Sequence, residues 1–212
     1  MKKALFLSML FVAYLILLVG INLLHFRYLT VDVIFYATLA DAIIAAGILA
    51  AAVMLARAFT AKDTYMGSVV RELNGTEMIL FALCAVLSGY IFAISVPTVI
   101  DRSLSIYILE KLDQRGGAIA LKAMNEIFVR EFIPEHRLMD ARMTEQLTSG
   151  TVTIENGCVT LTPRGKRIAA FTRFYRTNLL PRNRVLMGEV SDDLTDPFRN
   201  HTAVVDYGCD VK

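Results

Sequence analysis

Few residues of this chain combine a reactive type with a setting that could use it. Asp41 is the first, because it stands inside the apolar run from Val33 to Ala56. An ionisable group within a membrane span costs about 3 kcal/mol and usually faces a partner or a wet cavity. Asp41 is therefore a candidate pairing or binding residue. If the span starts only at Ala42, the carboxylate lies near the lipid headgroups instead. Glu77, ahead of the next apolar run, is a second carboxylate that an enzyme or transport subunit would have at the membrane.

A basic cluster is the next candidate. Arg164, Lys166, Arg167, Arg173, Arg176, Arg182 and Arg184 follow one another with no acid between them. Such a face suits anionic lipid headgroups or an anionic partner, and it also suits a plain solvated helix. The chain after it reverses sign, with Glu189, Asp192, Asp193, Asp196, Asp206 and Asp210 against Arg199 and Lys212.

The remaining reactive types are scattered. His25, His136 and His201 have no metal-ligand spacing with cysteine or carboxylate. Cys84, Cys158 and Cys209 are far apart and form no CxxC, which argues against a zinc site or a disulfide framework. Three free thiols in a reducing compartment fit that spacing. A Cys158–Cys209 bridge stays open if the C-terminal part lies outside the cytoplasm. No GxSxG, phosphate-binding glycine loop or nucleophile with its base is present. No metal, no cofactor and no catalytic residue is expected.

The elements that hold these residues follow from how charge is distributed. Hydrophobic types make up 55% of the 212 residues, above the usual share for a soluble domain. Residues 1–100 hold eleven charged residues and residues 101–212 hold the other 31. A membrane half thus precedes a water-soluble half. Ala4 to Leu24, Val33 to Ala56 and Met78 to Ile100 are each long enough to span, since about 20 apolar residues cross a bilayer. His25 to Asp32 connects the first two spans, and a polar stretch from Arg57 to Glu77 connects the next two. Pro97 predicts a kink or a stop near the end of the third.

Ile94 to Leu112 joins the halves without a flexible linker. Leu104, Ile108 and Leu112 mark a helix that Asp101 or Ser103 can cap and Gly116-Gly117 stops. Ala118 to Phe132 predicts a second helix, broken at Ile133-Pro134. His136 to Leu147 predicts a third. Thr151 to Glu155 and Cys158 to Thr162 read as a hairpin around Asn156-Gly157. Pro163 opens a fourth helix with an apolar stripe of Ile168, Phe171, Tyr175 and Leu179.

Three helices, a hairpin and a helix is the element order of a winged-helix domain. The segment from Glu145 to Phe171, EQLTSGTVTIENGCVTLTPRGKRIAAF, resembles the wing signature of that superfamily. Leu147 and Gly150 end the third helix, Asn156-Gly157 turns the wing, and Leu161-Thr162-Pro163-Arg164-Gly165 starts the last helix. The resemblance covers about residues 101–180. It implies either DNA binding through the third helix and the wing, or a protein-contact module. Asp140 and Glu145 on the third helix, and a wing tip of Glu155-Asn156-Gly157 without a cation, weigh against DNA.

The expectation is a mainly α membrane protein with three transmembrane helices and a small α+β winged-helix-like head. Its parts are a membrane domain over 1–100, a head over 101–184 and an acidic, poorly ordered tail over 185–212. Function is expected to be that of an accessory or scaffold protein in a bacterial inner membrane, contacting a membrane protein partner. The alternatives are a membrane-tethered DNA-binding regulator, and an enzyme or transport subunit using Asp41. Cations on the two flanking sides number five and four, which leaves orientation open. The winged-helix likeness and the unpaired cysteines point to a cytoplasmic head.

Overall fold

The computed structural model describes residues 2–61, 64–199 and 208–209. The chain is mostly helical and divides into two compact units, residues 1–134 and 135–212.

The first unit is built on three helices long and apolar enough to cross a membrane. α1 is Lys2–Tyr28 and α2 is Ile34–Phe59. The third crossing is Gly75–Arg102, formed by α4 (Gly75–Ser95) and α5 (Pro97–Arg102). It is interrupted at Val96, where Pro97 cannot donate the next backbone hydrogen bond. α1 continues one turn beyond the predicted end, so His25 lies on the helix and not in the connection.

Lipid offers no hydrophobic drive between helices, so small residues and close packing must join them. α2 supplies this, packing against both α1 and α4. Tyr14 and Leu18 of α1, Ala42 and Ala45 of α2, and Ala85 of α4 form the buried centre. The Tyr14 hydroxyl donates to the Ala85 carbonyl at 2.8 Å, tying α1 to α4. Gly89 allows the closest approach. A β-carbon there would stand 2.5 Å from Ala42 Cβ and 2.8 Å from the Tyr14 hydroxyl.

The polar stretch between the second and third spans contains a short helix, α3 (Tyr65–Glu72), capped by the Thr64 hydroxyl. Arg57 ties it to α2 by donating to the Val70 and Leu73 carbonyls. Asn74 then starts α4 in a capping box. Its side chain accepts from the Glu77 amide, and Glu77 accepts from the Asn74 amide, both at 2.8 Å. Glu77 is thus a capping group, and Lys3 lies 3.6 Å from it.

α6 (Leu104–Gln114) follows α5 after Ser103, whose hydroxyl caps it as expected. Gly116 and Gly117, both with positive φ, end it. The next helix is less regular than its periodicity predicts. It runs from a 3₁₀ turn (Leu121–Ala123) through α7 (Met124–Ile127) and a π turn (Phe128–Phe132) into α8 (Ile133–Glu135). Pro134 therefore does not end the helix where expected. The wide π turn lies just before it, where the proline leaves the backbone ladder one donor short.

The Tyr107 and Phe132 rings meet at a tilt with centroids 4.7 Å apart, and the buried Lys111 ammonium meets Glu131 at 2.9 Å. Arg115 adds a second cation at 3.2 Å. The hydrogen bond from Lys111 and the charges of both cations hold the Glu131 carboxyl below its ordinary range. A depressed acid stabilises the fold above its unfolded pKa, about 4.3, and loses that contribution as pH falls through the lower folded value. Glu131→Gln should therefore lower the unfolding midpoint at pH 7, and the gap to the wild type should close below about pH 4. Thermal unfolding at a series of pH values checks this; a gap unchanged at low pH would count against the pairing.

The second unit holds α9 (Leu138–Thr148), β1 (Val152–Glu155), β2 (Cys158–Leu161) and α10 (Pro163–Asn178). The strands pair antiparallel from Val152↔Leu161 to Glu155↔Cys158. Asn156 and Gly157, both at positive φ, make the predicted turn. Thr162 caps α10 through the Gly165 amide, and Pro163 takes the first helical position. Gly165 lies so close to the Thr151 carbonyl that no side chain fits.

The compact units divide the chain between residues 134 and 135. α6 and α7 belong to the first compact unit, whereas α9, the hairpin and α10 belong to the second. The tail also has more structure than its composition suggests. β3 (Arg184–Leu186) and β4 (Glu189–Ser191) form a second hairpin. Arg199 then clamps Asp192 at 2.6 Å and Asp193 at 2.9 Å, so these two acids have a local cation; Asp206 and Asp210 lie outside the described residues.

Candidate functional site

Asp41 lies two turns inside α2, about 10 Å along the helix from Ile34, and is 1% exposed. α2 does begin before it, so the carboxylate is within the helix and not at its start. Its depth would be costly if it were alone, but it is not alone. One oxygen meets His25 Nδ1 at 2.7 Å, and the other accepts from Asn22 Nδ2 at 2.8 Å. Asn22 also donates to the Thr38 hydroxyl at 3.2 Å. Thr38 returns its own proton to the Ile34 carbonyl at 2.9 Å.

The cluster bridges two helices by matched spacing. Asn22 and His25 are three apart on α1; Thr38 and Asp41 are three apart on α2. Residues three apart on a helix share a face. The connection between the helices is short, so the two polar faces come together. Asn22 and Thr38 are fully buried, and the His25 ring is partly open. Both carboxylate oxygens of Asp41 are engaged within the chain. Its partners in the structure are side chains of its own chain.

Only Asp41 was readable as a candidate. Asn22 counts in the sequence as slight polar relief in a long span, and His25 as part of a loop. The available signal was a pair of polar residues at i and i+3 on each side of one short connection. The His25 ring and the Asp41 carboxylate stand at hydrogen-bond distance across the two helices. Among the described residues, no group of three or more metal-ligating side chains comes together.

The basic cluster is carried by α10 and its exit. Arg164, Lys166, Arg167 and Arg173 are exposed on the helix, Arg176 is half-buried, and Arg182 and Arg184 follow it exposed. Arg173 lies 4.0 Å from Asp196, so the acidic tail reaches one member of the set. The apolar stripe on the same helix is uncovered. Phe171 is 63% exposed and Leu179 60%, with Ile168 and Tyr175 also open. Val159 and Leu161 on β2 are exposed as well.

On α9 the cations are occupied. Arg137 pairs with Asp140 at 2.7 Å and Arg142 with Glu145 at 2.8 Å. The cysteines depart from the sequence expectation. Cys158 and Cys209 are joined as a disulfide with their α-carbons 5.9 Å apart, and Cys84 is free. The pairing is the one the sequence left open as an alternative, and it spans 51 positions.

None of the family models, curated proteins or solved structures compared with this chain matches it.

Proposed function

We propose that this is an accessory or scaffold protein of a membrane, in a setting of the bacterial inner-membrane kind, whose C-terminal head is a protein-contact module. The observation that carries the reading is the uncovered apolar stripe of α10. A contiguous apolar patch on a water-soluble unit ordinarily marks an interaction site. The head's winged-helix-like element order fits a contact role, because the acids of α9 occupy the cations that would otherwise meet DNA. Anionic lipid headgroups remain a second surface for the exposed basic residues of α10.

An enzyme or transport subunit is the alternative, and the His25–Asp41 contact is the observation that favours it. A membrane-tethered DNA-binding regulator draws on the element order alone. A cytoplasmic head was expected partly from unpaired cysteines, and the Cys158–Cys209 bridge removes that support.

The stripe is tested in native membranes solubilised in a mild detergent. On a blue native gel the chain should migrate well above its own mass of 23.6 kDa plus detergent. Native mass spectrometry then identifies whether the companion is another protein. Phe171→Asp with Leu179→Asp should collapse the band to the monomer while the chain stays in the membrane fraction. A wild-type chain that is monomeric throughout would sink the reading.

A further inference from the structure

The disulfide gives the chain a direction. Cys158 ends the β1–β2 turn, and Cys209 returns to it from beyond the second hairpin. Their α-carbons are 5.9 Å apart, within the ordinary span for such bonds. Bonds of this kind persist in oxidising compartments, whereas cytoplasmic thiols are kept reduced. The third cysteine is consistent with that division. Cys84 lies within the third crossing and is free.

The first unit fixes which end of the bundle leads to the bridge. Lys3 Nζ donates to the Glu72 carbonyl at 2.6 Å and lies 3.6 Å from Glu77. The start of α1 and the connection before α4 therefore share one end. Phe35 at the start of α2 meets Tyr90 near the far end of α4, with ring centroids 5.9 Å apart. The three crossings alternate, so the chain after Arg102 emerges opposite Lys2 and Lys3. Counted along the sequence, the flanks on the Lys3 side carry five cations, and the opposite flanks carry Arg27, Arg102, Lys111 and Arg115. Five against four leans toward an inner Lys3 end without deciding it. The bridge adds the weight that the cations lack.

We propose that the C-terminal unit lies on the oxidising, extracytoplasmic face of the membrane and carries there a structural Cys158–Cys209 disulfide that fastens the chain's last segment to the β1–β2 hairpin. Its formation balances simply. Each thiol gives up a proton and an electron, the sulfurs join, and two electrons reduce the disulfide of an exported thiol–disulfide oxidoreductase to a dithiol. This inference does not depend on the contact role of α10. It does place any partner of the head on the outer face, away from DNA.

Two measurements on the full chain test it. Cells are quenched in acid, so that thiols cannot exchange on lysis, then denatured with a polyethylene-glycol maleimide. One adduct, at Cys84, is expected before reduction and three after it. Cys158→Ser should show two adducts in both lanes. Three adducts in the unreduced wild type would overturn the bridge. The side is read separately in spheroplasts carrying Cys84→Ser. A membrane-impermeant maleimide should label Met187→Cys directly, and Ala61→Cys only after detergent opens the membrane. The opposite pattern would overturn the orientation even with the bridge intact.

Discussion

Gly89→Leu should separate the three crossing helices while leaving the chain inserted. The glycine faces Ala42 and the Tyr14 hydroxyl so closely that even a β-carbon meets Ala42 Cβ at 2.5 Å. A leucine must push α4 off α2. That displacement also breaks the bond from Tyr14 to the Ala85 carbonyl on the same helix. Overpacking costs about 1–3 kcal/mol, and an interhelical hydrogen bond in a membrane adds about 0.6–1.7 kcal/mol. A loss near 3 kcal/mol is expected on those figures. It is measured by titrating the chain in lipid micelles with a denaturing detergent and following helix–helix proximity by fluorescence. Gly20→Leu is the control, because a β-carbon there meets nothing within 4 Å. Equal midpoints for the two variants would refute the close contact.

Sequence made the crossings plain because length and absence of charge are sufficient to define a span. The lock between them was hidden. Gly89 and Ala42 are separate small residues in separate runs, and only the register of α2 against α4 brings them together. The hairpin was plain for a local reason, since Asn156-Gly157 specifies the turn and the turn sets the strand register. The same holds for α10, where Thr162-Pro163 gives cap and first turn. α3 was missed because a single amphipathic turn or two between Arg57 and Glu77 has no length to show a period. The π turn before Pro134 was missed because a proline usually stops a helix, and here the ladder widens instead.

The polar lock had the same difficulty as the packing lock. Asp41 was visible as a charge in the wrong solvent. Asn22, His25 and Thr38 were not visible as its partners, because each is unremarkable within its own segment. Their chemistry exists only once two helices share a face. The cysteines show the long-range case: no local pattern says that Cys209 returns to Cys158.

Asp41 offers the test that separates its structural role from a chemical one. Asp41→Ala removes an acceptor from both the buried Asn22 amide and the partly open His25 ring. Breaking a buried charged network from one side costs about 3–5 kcal/mol where a charge is left behind. The α1–α2 pair should then loosen, with a large fall in the denaturation midpoint. Asp41→Asn is different. Its carbonyl still accepts from Asn22, and its amide can donate to a neutral His25 ring whose proton sits on the other nitrogen. The loss should be about 0.6–1.7 kcal/mol, the scale of one interhelical bond. A clamp role predicts that Asp41→Asn keeps the blue native band of the wild type and that Asp41→Ala weakens it. A proton-handling role predicts a different split: Asp41→Asn would keep the fold and the band yet abolish biological function in a complementation assay. Full complementation by Asp41→Asn would therefore retire the transport and enzyme reading. The His25–Asp41 pair would then be what its geometry first suggests, a hydrogen-bonded fastening that lets a carboxylate rest inside a membrane helix.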